Sequence, residues 1–491
     1  MSSYKEIAKS SGLVAFVQVA QMLFALFRNK AVSVLLGSAS FGLYSIYNTL
    51  VELGTSVAIF GLNNSIVREI SRSKNDKQQI GRVYYVANRL VAVFSLIVCS
   101  AVLVFAKDIG YYMFNESGHE SGVRCIAGIV LFMVVAQEGY AVLNGIRSMK
   151  HLAVSQIVSS GVGSVGTILA ILFWRENAIP AALGIVAVTM AFVTFLYVKK
   201  DGVREVKVSR SEFGAISRTL LYIGAGVTVA GLISTVMTFL SKRFLLEHYT
   251  LSAVGLYQSS WTVSNLYTGI VLGAMGVDFM PRLSKTIDDK VKAAELINQQ
   301  IIFGVVVSSI AISGILMFSK ELLFILYAHE FEAAANIVRW HIIGVFLRVI
   351  AFPFSYTILA KGKALLYAII QTIFWVGDYL LLMLSSCIWG FDGLGVNYPI
   401  AYCAYLLMTF GAAKFICGFS FSKELLTVLA KLTLFIALAW AFTCFDIKIA
   451  WCKYGVACVL LSLQAIYVWR YLQNKMGLNI WQFVKNRVTR R

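Results

Sequence analysis

The sequence predicts an all-α, polytopic membrane protein, from its composition, its succession of apolar segments and the placement of its basic residues. Of 491 residues, 59% are hydrophobic and 14% charged, where an ordinary soluble domain carries roughly 25% charged residues. Mean hydropathy is +0.76. Stretches of about 20 apolar residues, enough to cross a hydrocarbon core of about 30 Å, follow one another with little between them. Four prolines occur in all, and no Pro/Gly/Ser-rich linker sets off a soluble domain. The net charge of +19 would suggest nucleic acid in a soluble chain. Here the excess sits in short loops between apolar segments, the pattern of cytoplasmic loops, so no nucleic-acid partner is expected. The eight cysteines stand singly, without CxxC or Cys/His clusters, and no metal, cofactor or disulfide is expected. The first apolar stretch is too long for a signal peptide and reads as a retained span.

About 14 spans are expected. The first six have cores near 11–36, 39–62, 83–106, 122–144, 152–174 and 179–198, and the next six near 217–241, 253–280, 297–319, 334–359, 364–386 and 394–413. Two more follow at 424–443 and 453–471. Lys and Arg set the orientation. Lys5, Lys9, Arg68, Arg72, Lys74, Lys77 and Arg82 share one side with Arg147, Lys150 and the cluster from Lys199 to Arg218. Arg282 to Lys292, Lys361, Lys363, Lys414, Lys423 and the basic tail continue it. The other side holds Lys107, Arg124, Arg175, Lys242, Arg243, Lys320, Lys448 and Lys453. Both termini are therefore expected in the cytoplasm.

Phe41-Gly42-Leu43-Tyr44 recurs as Val254-Gly255-Leu256-Tyr257, an offset of 213. Phe105-Ala106-Lys107-Asp108 recurs as Phe318-Ser319-Lys320-Glu321 at the same offset of 213. Six spans separate equivalents, so the halves share one orientation, which implies two parallel six-helix bundles around a central cavity. The expected domains are residues 1–210, residues 211–420, and a third segment, 421–491, with two extra helices and a basic tail.

Ionisable residues inside spans are functional candidates, because a charge facing lipid is costly. Gln18, Gln21 and Arg28 lie on one face of the first span, and Asn48, Glu52 and Thr55 on one face of the second. Gln258, Trp261, Asn265 and Thr268 line a face of the eighth span, and Ser234, Thr238 and Ser241 a face of the seventh. Arg28 lines a lumen or snorkels to headgroups; Arg89 is a lumen charge or an interfacial anchor. Arg348, on the face of His341, is a cavity residue or half of an interhelical ion pair. Glu52 either pairs with a cavity arginine or takes up a proton, or makes a structural hydrogen bond. Lys30 and Arg243 read as outer-boundary snorkels, Lys431 as an inward one, and Glu138 and Asp378 as packing pairs. Asp278 is four residues before Arg282, a spacing for a local salt bridge. The stretch from Lys320 to Ala334 reads as interfacial. No catalytic constellation or large outer loop appears, so transport is favoured over an enzyme. An arginine-biased cavity favours an anionic ligand.

Phe41-Gly42-Leu43-Tyr44 followed by Gly61-Leu62-Asn63-Asn64-Ser65-Ile66-Val67-Arg68 resembles the first helix pair of bacterial O-antigen and polysaccharide flippases. This is the Wzx family, within the multidrug/oligosaccharidyl-lipid/polysaccharide (MOP) exporter superfamily. Val254-Gly255-Leu256-Tyr257-Gln258, Met280-Pro281-Arg282-Leu283-Ser284, Trp340-His341-Ile342-Ile343-Gly344 and Ala360-Lys361-Gly362 are similar to its second half. The resemblance covers most of residues 10–415 and implies flipping of undecaprenyl-diphosphate-linked oligosaccharide across the bacterial inner membrane by alternating access. It further implies coupling to an ion gradient (proton or sodium) or to the membrane potential, and contact with membrane lipids and other glycan-assembly proteins. Arg28 is then the candidate for the diphosphate or an acidic sugar, with Gln18, Gln21, Asn48, Arg89, Gln258, Asn265 and Arg348 as further cavity residues and Glu52 as a coupling or gating acid. The alternative is a multidrug or cation antiporter of the same superfamily.

Overall fold

The computed structural model describes residues 2–73, 76–116, 118–444 and 450–475, and among these it contains helices and turns without a strand. Lys74, Lys448 and the tail beyond 475 lie outside the described residues, as do the side chains of Lys5, Lys9, Thr268 and Asp278. The helices are α1 (Ser2–Ile59), α2 (Leu62–Arg72), α3 (Lys77–Val104), α4 (Ala106–Phe114), α5 (Glu120–Gly145), α6 (Met149–Trp174), α7 (Ile179–Lys200) and α8 (Arg210–His248). They continue as α9 (Leu251–Thr286), α10 (Lys290–Met317), α11 (Ser319–Leu326), α12 (Ala335–Ala360), α13 (Ala364–Trp389), α14 (Gly393–Cys417), α15 (Lys423–Cys444) and α16 (Ala450–Asn474).

Among the described residues nine segments have the length and apolarity of membrane crossings. Three of them are long: one of 44 residues lies in α1, one of 52 joins α6 to α7, and one of 54 joins α13 to α14. Outside these nine, α8 and α9 run for 39 and 36 residues.

The first two spans form one helix, broken only at Gly37, where φ is 80°. A side chain is rarely tolerated at such a φ, and the break frees the backbone N–H of Ser38 from the helical ladder. Glu330 takes it up, and its other oxygen accepts from Ser38 Oγ at 3.0 Å. A carboxylate supplied from far along the chain thus caps the second half of α1, where the helix dipole favours it.

The chain divides into two compact units. The first comprises Met1–Thr262, Leu323–Ala334 and Gln371–Ile388. In it α5 packs against α3 and α7, and α6 against α7 and α1. The second comprises Val263–Leu322, Ala335–Ile370 and Trp389–Arg491. In it α12 packs against α10 and α14, and α10 also holds α15 and α16.

Within lipid, helices associate through close packing more than through burial from water, and small residues let backbones approach. Gly42 of α1 and Gly255 of α9 do this in the first unit. A Cβ on Gly42 would lie 2.1 Å from the Leu251 carbonyl oxygen, and one on Gly255 would lie 2.1 Å from that of Ser38. Both pairings obey the 213 offset: Gly42 corresponds to Gly255, and Ser38 to Leu251. The contact is reciprocal, as at a two-fold axis. Ser45 and Gln258, also equivalents, join across it by a hydrogen bond of 3.0 Å.

The stretch from Lys320 to Ala334 departs from the interfacial expectation. Leu323, Tyr327 and Phe331 are fully buried. In the first unit Tyr327 and Phe331 each stand edge-on to Phe41, with ring centroids 5.5 Å away. Only one side of the stretch, with Phe324 and Ile325, is exposed. Lys30 does not snorkel either; its ammonium is bound by the carbonyls of Phe324, at 2.7 Å, and Tyr327.

Candidate functional site

In the first unit the polar faces of α1, α8 and α9 meet around Lys242. The basic-residue pattern places this lysine in an outer loop, but α8 continues through it to His248 and leaves it 4% exposed. Its ammonium donates to Thr49 Oγ1 at 2.6 Å and to the Ser45 carbonyl at 3.3 Å. Glu52 lies within electrostatic range. A buried charge is tolerated only where oxygens replace its water, and these helices supply them. The signal was present in the sequence: Lys242 follows Thr238 by four residues and extends the Ser234, Thr238 and Ser241 face.

A narrow cleft of the first unit runs past this lysine, with Gln258, Trp261, Trp375 and Asp378 in its walls. The two tryptophan rings stand 6.2 Å apart. Asp378, expected as a packing partner, is buried on the same cleft. Arg243, the next residue along, pairs with Glu247 at 3.5 Å and lies over the Tyr112 ring at 5.2 Å.

In the second unit the central cation is Arg348 of α12. Its Nη1 donates to Asn265 Oδ1 at 2.9 Å and approaches the Tyr398 hydroxyl at 3.5 Å. Its guanidinium lies 5.8 Å from the Tyr402 ring centroid. The cation-π contact and the planar fork both suit arginine rather than lysine. Of the two readings open for Arg348, the interhelical ion pair is not what the described residues form: both hydrogen-bond partners are neutral. His341 is fully buried on the same helix, its ring 4.7 Å from that of Tyr398.

Apart from Lys431, which is in the second unit, the remaining candidates belong to the first unit. Phe16, Leu23, Phe27 and Val34 form an apolar stripe on α1 that is 48–69% exposed. Gln18, Gln21 and Arg28 fall about 120–200° round the helix from it, turned away from that stripe. Arg28 Nε is buried with no hydrogen-bond partner among the described residues. Arg89 differs: it is exposed, shares a face of α3 with exposed Val93, Leu96 and Ile97, and stacks on Tyr85 at 5.3 Å. That placement favours an interfacial anchor. Glu52 accepts from Asn48 Nδ2 at 2.6 Å. Gln258 accepts from Ser45 and donates to Thr262 Oγ1 at 3.2 Å, so both ends of its amide bind helix partners. Glu138 is buried in α5, with Oε1 unpaired among the described residues. Lys431 lies over the Tyr467 ring at 5.4 Å.

A family described as polysaccharide biosynthesis proteins matches residues 7–287. The lipid III flippase of Escherichia coli is 21% identical over 386 residues, covering 77% of this chain and 90% of that protein. A candidate O-antigen transporter of Shigella flexneri is 24% identical over 373 residues, covering 74% of this chain and 87% of that one. Among solved structures, an inward-facing multidrug resistance MATE transporter of the MOP superfamily matches with a TM-score of 0.70 at 16% identity, over 82% of this chain and 98% of that one. The lipid II flippase MurJ, in an inward closed conformation, matches with a TM-score of 0.69 at 12% identity, over 96% of this chain and 100% of that one. At these identities the likeness establishes the fold.

Proposed function

Because this chain belongs to the polysaccharide biosynthesis protein family, we propose that it flips a lipid-linked oligosaccharide, carried on undecaprenyl diphosphate, from the cytoplasmic to the periplasmic leaflet of a bacterial inner membrane. The observation that carries this reading is Arg348, a guanidinium within a span whose hydrogen-bond partners among the described residues are neutral. Such a group keeps its positive charge available and binds phosphate oxygens with a planar fork. Arg28 and Lys242 add positive charge on spans of the first unit. Arg89 serves as an anchor at the membrane boundary. A cation or multidrug antiporter, which shares the fold, would want an excess of carboxylates at such positions, and Arg348 speaks against it.

In this reading two six-helix bundles alternate the exposure of the cavity, with both termini cytoplasmic. Glu52, beside Lys242, is the gating or coupling acid. The charged diphosphate and the polar glycan cross together, while the polyprenyl chain remains in the hydrocarbon. The chain moves its substrate without changing a covalent bond.

The test is genetic and chemical. Deleting the gene should abolish surface glycan and leave its lipid-linked unit on the cytoplasmic leaflet, and the wild-type gene should restore export. Arg348→Ala and Arg28→Ala should fail to restore it while reaching the membrane in normal amount. Normal glycan in the deletion strain, with cationic dyes retained instead of exported, would replace this reading with the antiporter.

A further inference from the structure

A second cavity of the first unit takes no part in either cation site. It is a cleft of about 570 Å³ between α5 and the start of α7, with Leu43 and Tyr47 of α1 at its base. That is the size of a site for a small organic molecule. One end is polar, lined by His119, Ser121, Glu176 and Asn177; the remainder is apolar, with Ile129, Phe132 and Val188.

Its depth comes from glycine. A Cβ at Gly128 would meet nothing within 4 Å, and one at Gly184 would meet only Ile129 Cγ1 at 3.7 Å. The space is therefore not reserved for any side chain of this protein. The cleft opens beside Leu131, Phe132 and Val135 of α5 and Val188, Phe192 and Phe195 of α7, which are 38–61% exposed. On membrane-crossing helices such a surface meets lipid chains, and a chain entering the cleft covers apolar wall without losing water.

The polar end selects the headgroup. Glu176 is exposed there and already accepts a hydrogen bond from Ser40. Arg124 of α5, 60% exposed, pairs with Glu120 at 2.6 Å and does not line the cleft. A carboxylate at the polar end of an otherwise apolar cleft complements a headgroup that carries an ammonium. An ammonium with N–H donors can hydrogen-bond the carboxylate; a choline headgroup cannot, and a glycerol headgroup has no cation. We propose that this cleft is a structural binding site for one phosphatidylethanolamine molecule, with an acyl chain against Gly128 and Gly184 and its ammonium on Glu176.

The experiment uses full-length protein, delipidated in detergent and transferred to nanodiscs of phosphatidylethanolamine, phosphatidylcholine or phosphatidylglycerol, with retained lipid counted by native mass spectrometry. Wild type should keep one phosphatidylethanolamine with a preference of about tenfold or more over phosphatidylcholine, the ratio that one charge-assisted hydrogen bond supplies. Gly128→Leu and Gly184→Leu fill the cleft and should lose that lipid. Glu176→Gln should keep a lipid but lose the preference. Thermal unfolding confirms that each variant is folded, and Glu176→Gln leaves the apolar wall intact should a leucine variant fail to fold. Equal retention of all three lipids by wild type, retention by both leucine variants, or displacement of the bound lipid by undecaprenyl phosphate would each overturn the proposal. None of these readouts uses glycan export, so their failure is separable from that of the flippase reading.

Discussion

Two corners of the first unit are equivalent under the 213 offset, yet one holds a charge and the other does not. At the first, Lys242 donates to the Ser45 carbonyl and the Thr49 hydroxyl. At the second, its equivalent is Asn29, which with Thr262 stands beside the Tyr327 hydroxyl. The cradle is the same in both: Thr49 bonds the Ser45 carbonyl at 2.9 Å, and Thr262 bonds the Gln258 carbonyl at 2.8 Å. The occupants differ: an ammonium held by two oxygens in one corner, and in the other a buried tyrosine hydroxyl without a hydrogen bond among the described residues. The neutral corner shows that the crossing of α1 and α9 holds together without a buried charge. Because such a charge is costly compared with a neutral group, Lys242 is better explained by function than by stability.

The largest effect should come from reversing the comparison. Asn29→Lys buries a second ammonium beside the buried Tyr327 hydroxyl, and should destabilise by about 3–5 kcal/mol. Thermal unfolding in detergent measures it, and wild-type stability would mean that both corners accept a cation equally well.

Lys242→Asn makes the corners alike. Thr49 keeps its bond to Ser45, so the protein should fold, while glycan export in a complementation assay should fall by about tenfold or more, the scale of one charged hydrogen bond. Full export would remove Lys242 from the transport site. Thr49→Val leaves the charge but deletes one acceptor, and should cost about 1.5–3 kcal/mol. Thr262→Val, facing only neutral partners, should cost less, and equal losses would show that the charge adds nothing to the first corner.

The smallest effect is a pH dependence in the loop before α5. Burial holds His119 below the ordinary histidine value, with the Glu116 carboxylate opposing. The unfolded chain therefore takes up the proton first on acidification. The stability that neutral His119 preserves is present above its unfolded value of about 6.5 and is lost as pH falls through the lower folded value. His119→Gln should flatten unfolding temperature against pH in that window, and an unchanged slope would assign the dependence to another group.

Much of the fold was legible because its signals are local. Apolar runs reported the spans, and the Phe-Gly-Leu-Tyr and Val-Gly-Leu-Tyr strings marked the glycines that meet at the crossing. The faces of Gln18, Gln21 and Arg28 and of Asn48 and Glu52 also followed from helical spacing. Arg89 was ambiguous, since a span position says nothing of what its face meets; the exposed Leu96 seven residues on favours an anchor. Lys242 was misplaced for a different reason. A lysine after an apolar run reads as a loop residue unless its oxygen partners, nearly 200 positions earlier, are known.

The sequence by itself determined that this is a helical membrane protein of about 14 spans with an internal repeat, because composition, run length and offset need no neighbour in space. Only the tertiary structure decided which charges are held inside and by what. Lys242 depends on Ser45, 197 residues away; the break at Gly37 depends on Glu330, 292 residues from Ser38; and Lys30 depends on Tyr327, 297 residues on. A buried charge is stable only where specific oxygens replace its water, and on these helices those oxygens come from remote segments that meet only in the folded chain.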